Sequence, residues 1–229
     1  MIKKAGQAKA RLGRPRTADP QLTRQRILEA ALATVEREGL ERLSMRRLAT
    51  ELGVDPMSIY HHIPDKQRII AGVVELVFAG MQRRCERNAP WVERVLDWAH
   101  GYHDLTRSHP YIVLPIVKDP DAVAIAMLAV SEPLYEAFQD AGLTDKSIAT
   151  AADTLVDFLN GFALGEPSSS CHEPNPVVSH RLAEQAPTLA RVLRLARTSG
   201  SDSWDRVKLG VEIIIAGVCT TLATRNSAD

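Results

Sequence analysis

Apolar positions recur at helical spacing along most of the chain, and no window sustains the period-two alternation of a half-buried strand. Ile27, Leu28, Ala31, Leu32 and Val35 form the first stripe, and Gly39 supplies a residue suited to ending a helix. Asp19-Pro20 reads as the N-cap and first-turn proline of that helix. Ser44 caps a second helix, in which Met45, Leu48, Ala49 and Leu52 share one face. Gly53 stops it, and Asp55-Pro56 opens a short third helix. Pro64 closes that helix, because the residue before a proline disfavours helical geometry. Asp65 caps a fourth helix, predicted to run to about Arg87.

The rest is helical too. Residues 91–108 place Val95, Trp98, Ala99, Tyr102 and Leu105 on one side. His109-Pro110 breaks the pattern, and a short apolar piece to Val117 follows. Residues 119–140 read as a helix kinked at Pro133. Residues 144–165 carry a stripe through Ile148, Ala151, Ala152, Leu155, Leu159 and Phe162. The Ser/Pro-rich stretch 166–180 reads as a loop, and 181–198 as a weaker helix interrupted at Pro187. In the last helix, 203–224, the segment Val211–Cys219 is apolar nearly all round, apart from Glu212. The fold class is all-α, with roughly nine or ten helices.

Charge changes the picture. The chain has 229 residues, with 28 Lys+Arg against 28 Asp+Glu, so its net charge is zero. Residues 1–68 hold 14 bases and 8 acids (+6), and the remainder holds 14 bases and 20 acids (−6). Six bases precede the first acid, Asp19. A neutral chain with a basic head suits a protein that meets a polyanion at one end only.

Other chemistry is excluded by what the sequence lacks. G-x-S-x-G, the P-loop, G-x-G-x-x-G and H-E-x-x-H are all missing, so no enzyme and no cofactor are expected. His100 and His103 stand at i, i+3 without a third ligand at suitable spacing, so no metal site is expected. Cys85, Cys171 and Cys219 are sparse and form no C-x-x-C pair, which fits a reducing compartment. No apolar core follows the basic N-terminus, as a signal peptide would require. Runs such as Ala122–Val130 fall short of the roughly 18 residues of a membrane span. The expected compartment is the cytoplasm.

The two helices around Gly53, with a third ahead of them, have helix-turn-helix architecture. A major groove about 12 Å wide admits one helix, which must be docked on one side and exposed on the other. Ile59 and Ile63 supply the docked side. Tyr60, His62 and Lys66 suit phosphate oxygens, and Pro56 and Met57 suit thymine methyls. Ser58 and His61 suit base edges, and Arg46 can reach guanine in bidentate fashion.

The stretch Leu43-Ser-Met-Arg-Arg-Leu-Ala-Thr-Glu-Leu-Gly-Val-Asp-Pro-Met-Ser-Ile-Tyr-His-His-Ile-Pro-Asp-Lys66 closely resembles the N-terminal signature of the tetracycline-repressor (TetR) family of bacterial transcription regulators. The resemblance begins near Thr23 and spans about 50 residues. It implies DNA contacts at Arg46, Pro56, Met57, Ser58, Tyr60, His61, His62 and Lys66. Residues 187–217 also resemble the last two helices of the tetracycline-repressor branch. That implies a homodimer built on helices near 144–165 and 203–224, where Gly210, Ala216 and Gly217 permit close approach.

Three parts are therefore expected: a flexible basic arm (1–18), a helix-turn-helix DNA-binding domain (19–66) and a C-terminal effector-binding and dimerisation domain (67–229). The resemblance implies a ligand-responsive repressor on a palindromic operator of double-stranded DNA. The alternative is an effector-independent DNA-binding regulator. By the same alignment, Ile116 stands where the branch has its magnesium-binding histidine, Asp119 replaces a drug-contacting threonine, Trp98 an asparagine and Tyr102 a phenylalanine. Isoleucine offers Mg²⁺ no ligand, so no magnesium–tetracycline binding is expected. The implied pocket is instead apolar and aromatic, built from Trp98, Tyr102, Tyr111, Ile116 and Met127.

Overall fold

Helix α1, Arg24–Glu38, begins where the Thr23 hydroxyl accepts the Arg26 amide at 3.2 Å. The computed structural model describes residues 22–226 apart from 83, 120, 122–123, 125–127, 129, 170–175 and 199–201. The basic arm, Asp19-Pro20, Met127 and Cys171 lie outside the described residues. Thr23, closer to the first buried residues, therefore takes the capping role predicted for Asp19.

The next three helix starts are each set by a side-chain cap. Ser44 accepts from Arg47 at the head of α2, Met45–Leu52. Asp55 accepts from Met57 at 2.8 Å to open α3, Pro56–His62, and Asp65 accepts from Arg68 at 2.7 Å to open α4, Lys66–Ala79. Between α2 and α3, Gly53 takes φ 67°, a left-handed turn that glycine adopts without a Cβ penalty.

Helix α4 ends at Gly80, well before Arg87. The apolar stripe stops there, and Asp97 accepts the backbone amides of Arg84 and Cys85, each at 3.0 Å. Those amides are tied to the next helix instead of extending α4. Then come α5 (Trp91–Ser108), a 3₁₀ turn (Pro110–Ile112), α6 (Val113–Lys118), α7 (Glu132–Asp140) and α8 (Asp145–Ser169). After them stand α9 (Pro176–Gln185), α10 (Pro187–Thr198) and α11 (Ser203–Asn226). No strand occurs among the described residues.

Two predicted boundaries move. The interruption expected at Pro133 falls earlier, at Ser131, and Pro133 occupies the first turn of α7, where its missing N–H costs no helical bond. Helix α8 runs on to Ser169, into the predicted loop, because extending an anchored helix is easier than nucleating one. The last five residues of that loop open α9, and the break at Pro187 separates α9 from α10.

The core is continuous from α1 to α11. Ile27, Leu28, Leu48, Ile59, Ile63 and Ile69 hold the first four helices together, each at most 2% exposed. Helix α4 approaches α1 closely at Gly72, where an added Cβ would lie 2.6 Å from Leu28 Cδ2. Gly210 on α11 faces Phe158 of α8, 2.2 Å from where its Cβ would stand. Its closeness therefore serves packing within one chain. Gly217 has no atom near its Cβ position, and Ala216 is exposed.

Ser203–Thr224 is long and apolar enough to cross a membrane, yet only 22% of its apolar window is buried in the chain. The expectation of no such segment is corrected by counting the whole helix rather than its unbroken apolar runs. Leu209 and Ile213 are 60% and 65% exposed. A helix with such a face fits packing against another protein surface equally well.

Gly72→Val should destabilise the chain by about 1–3 kcal/mol, because the new methyls overlap the fixed Leu28 side chain. Chemical denaturation measures this, and a variant as stable as the wild type would contradict the α1–α4 packing.

Candidate nucleic-acid interface and ligand cavity

Helix α3 divides its side chains as a groove-reading helix must. Ile59 is fully buried and Ile63, just beyond the helix, is 2% exposed. Met57 and Tyr60 stand out at 61% and 44% exposure, and His61 and His62 are exposed beside them. Pro56 and Ser58 are half-buried at the α2–α3 edge. Arg46 on α2 and Lys66 at the head of α4 are exposed, and neither is ion-paired among the described residues. The fold thus brings together on the head all eight residues predicted to contact DNA.

Neighbouring arginines serve the fold. Arg37 on α1 donates to both carboxylate oxygens of Glu51 on α2, at 2.9 and 3.0 Å, and to Glu38 at 3.0 Å. Arg47 donates to Glu38, and the buried Thr34 hydroxyl donates to Glu51 at 3.0 Å. Hydrogen bonds from Arg37, then Thr34, hold the Glu51 carboxyl below its usual range. Arg37, then Arg47, do the same for Glu38. The helix pair is clamped by these groups, which leaves Arg46 uncommitted.

A cavity of about 340 Å³ lies in the C-terminal part, bounded by α4, α5, α6, α7 and α8. Trp98, Tyr102 and Ile116 line it as predicted. Trp98 and Tyr102 are stacked at 5.2 Å, and Trp98 Nε1 donates to the Val130 carbonyl at 2.8 Å. Tyr102 donates to Asn160 Oδ1 at 2.6 Å. Burial pushes its phenol well above the usual range, against the lowering effect of that bond. Met127 falls outside the described residues.

Tyr111 does not join this cavity. It packs beside Ile70, Val73 and Val74 of α4, between head and body. Its hydroxyl lies 2.9 Å from His109 Nδ1 and donates to Glu36 of α1 at 3.4 Å. His109 Nδ1 is itself 3.2 Å from Glu36. The proline turn after α5 redirects the chain toward α1, which nearness in sequence to Trp98 and Tyr102 did not reveal.

Sequence reasoning missed Phe78, Leu134, Tyr135, Asp153, Asp157 and Asn160, which also line the cavity. Phe78 was legible as the last large apolar residue of α4. Asp153, Asp157 and Asn160 flank the α8 stripe at helical spacing, a signal overlooked because only apolar positions were followed. His100 and His103 join α5 to α11: the His100 ring stacks on Trp204 at 4.1 Å, and His103 Nε2 is 2.9 Å from Ser203 Oγ.

Two family models match this arrangement. That of bacterial regulatory proteins of the tetR family matches residues 27–73, and that of the tetracyclin repressor-like C-terminal domain matches residues 86–222. The chain belongs to the TetR family. As a TetR-family member it is a helix-turn-helix transcriptional regulator. It is 27% identical to the HTH-type transcriptional repressor DrrR1 of Streptomyces coeruleorubidus, over 90% of this chain and 80% of that protein. Apo ActR from Streptomyces coelicolor is 28% identical, with a TM-score of 0.73 over 93% of this chain and 100% of ActR. Mycobacterium smegmatis BioQ, at 21% identity and a TM-score of 0.63, shares the fold over 87% of this chain and 99% of its own.

The clamp makes a pH prediction. Glu38 and Glu51 titrate below the ordinary value of 4.5 in the folded chain. A depressed carboxyl stabilises fully above its unfolded value and loses that contribution as pH falls through the folded one. The stability gap between wild type and Arg37→Met should be constant above about pH 5 and close below it. Thermal unfolding across pH reads this, and a gap that persists in acid contradicts the clamp.

Proposed function

We propose that the chain is a ligand-responsive repressor that binds a palindromic operator as a homodimer and is released by a small, largely apolar effector. The observation that carries this reading is helix α4. Its first residue, Lys66, is exposed on the head beside α3, and Phe78 near its other end lines the cavity. These residues are 12 positions apart, about 18 Å along a helix. An effector that fits the cavity better in one setting of α4 favours that setting by the ratio of its two affinities. Glu36, His109 and Tyr111 form a second link between head and body.

The head supplies the DNA contacts. Tyr60, His62 and Lys66 engage phosphates, and Arg46, Pro56, Met57, Ser58 and His61 face the groove. In a homodimer two such heads meet successive major grooves about 34 Å apart. The exposed face of α11, with Leu209, Ile213, Ala216 and Gly217, is the dimer surface together with α8, where Leu164 is also exposed. Its burial in a dimer accounts for the apolar helix without a membrane. Such a regulator works where the chromosome lies, in the cytoplasm.

The relatives support both halves of the reading. ActR has been crystallised with actinorhodin and with (S)-DNPA, and BioQ with its double-stranded DNA operator. The cavity favours the ligand-responsive reading over an effector-independent regulator, which needs none. A mobility-shift assay on promoter DNA, repeated with compounds that raise the melting temperature, tests it. Operator binding that no cavity-binding compound weakens would overturn it.

Arg46→Ala should lose about 1–3 kcal/mol of operator affinity and relax one base position, whereas Tyr60→Ala should weaken all sequences alike. Operator titrations at several salt concentrations separate these effects, and wild-type affinity in either variant contradicts the assignment. Ile213→Asp should leave helicity intact but yield monomers with little operator affinity. Sedimentation checks this, and a variant that stays dimeric places the interface elsewhere.

A further inference from the structure

We propose that the cavity takes a planar aromatic compound bearing a basic amine, its rings against Trp98, Tyr102 and Phe78 and its cation held by Asp153 and Asp157. This rests on the effector reading above and specifies the chemistry of the ligand.

The electrostatics point one way. Asp153 and Asp157 lie one turn apart on α8, and both line the cavity while staying exposed. Among the described residues, neither is ion-paired and no Lys or Arg lines the cavity. Residues 119–131, between α6 and α7, contain two aspartates and no Lys or Arg, so that stretch has no base to offer. Two neighbouring carboxylates without a counter-charge favour a cation. An anionic ligand would meet them with no basic partner among the described residues.

A buried polar group independently marks a ligand contact. Asn160 is only 7% exposed and lines the cavity. Its Oδ1 is engaged by Tyr102, while its amide nitrogen has no partner among the described residues. That nitrogen carries two donors with no acceptor among the described residues, which leaves them open to a ligand. A carbonyl or hydroxyl oxygen on the ligand's ring system satisfies it.

The aromatic wall completes the match. The Phe78 ring is 5.6 Å from Tyr102, which stacks on Trp98. Such surfaces stack on flat ring systems and attract cations over their faces. The volume suits a molecule of about three fused rings.

Two three-ring probes of opposite charge test this on the full-length protein without DNA: proflavine, a cation at neutral pH, and anthracene-2-carboxylate. Fluorescence titration should give proflavine at least tenfold tighter binding. Asp153→Asn with Asp157→Asn, which keeps shape and removes charge, should lose at least tenfold for proflavine and erase the preference. Circular dichroism and melting temperature verify that the variant is folded. Equal or tighter binding of the anion, no binding of either probe, or undiminished proflavine binding by the folded double variant overturns the proposal. Operator release is read separately, comparing wild type with the double variant at equal proflavine so that dye on the DNA cancels. Charge-dependent binding without release would leave this proposal standing and overturn the effector reading. Anion-driven release would do the reverse.

Discussion

Helix α4 has to be buried on two sides by two different sets of neighbours, and the rest of the molecule is arranged around that requirement. Seven of its residues, from Ile69 to Phe78, are buried, too many for one apolar stripe. Gly72 admits the Leu28 side chain of α1 on one side. Phe78 reaches the Tyr102 ring of α5 on another. Interiors at crystal-like density transmit displacement rather than absorb it. A change at Phe78 therefore has to be answered by the helices that carry the head.

The charge balance of the chain gains meaning in this setting. In the described part of the head, several of the bases are already paired. Arg37 and Arg47 are engaged by Glu38 and Glu51, and Arg24 pairs with Glu75 of α4 at 3.3 Å. Arg46 and Lys66, which flank α3, are among the described cations with no ion pair. The acidic excess of the body places Asp153 and Asp157 at the cavity, far along the chain from the reading helix. A net charge of zero thus conceals a basic first part of the sequence and an acidic remainder.

The head was legible in the sequence because its signals are local. Ser44, Asp55 and Asp65 cap their own helices, and Gly53 turns its own chain. The same logic failed where the deciding partner is distant. The end of α4 depends on Asp97 capturing amides 12 and 13 residues earlier, and no local rule contains that. Tyr111 reads as a neighbour of Trp98 and Tyr102, but the 3₁₀ turn carries it to Glu36, 75 residues away. In α8 the stripe predicted the core, while the place of its polar flank at the cavity appears only once α4 to α7 close over it.

Two attachments, rather than one, shape how the head can move. Helix α4 joins head to body through the covalent chain and its packing at Phe78. The 109–111 turn joins them again through Glu36 on the last turn of α1. A body held at two points keeps mainly one free rotation, about the line through both. The α2–α3 pair lies off that line, clamped to α1 by Arg37 and Glu51. A small shift at the cavity end of α4 then becomes a swing of α3 as a unit, not a deformation of it. In a symmetric dimer the two swings add, so the separation of the reading helices changes by more than either one moves. DNA offers grooves at a fixed repeat. On the ligand-responsive reading proposed above, that spacing, rather than any single contact, is the quantity a ligand in the cavity would control.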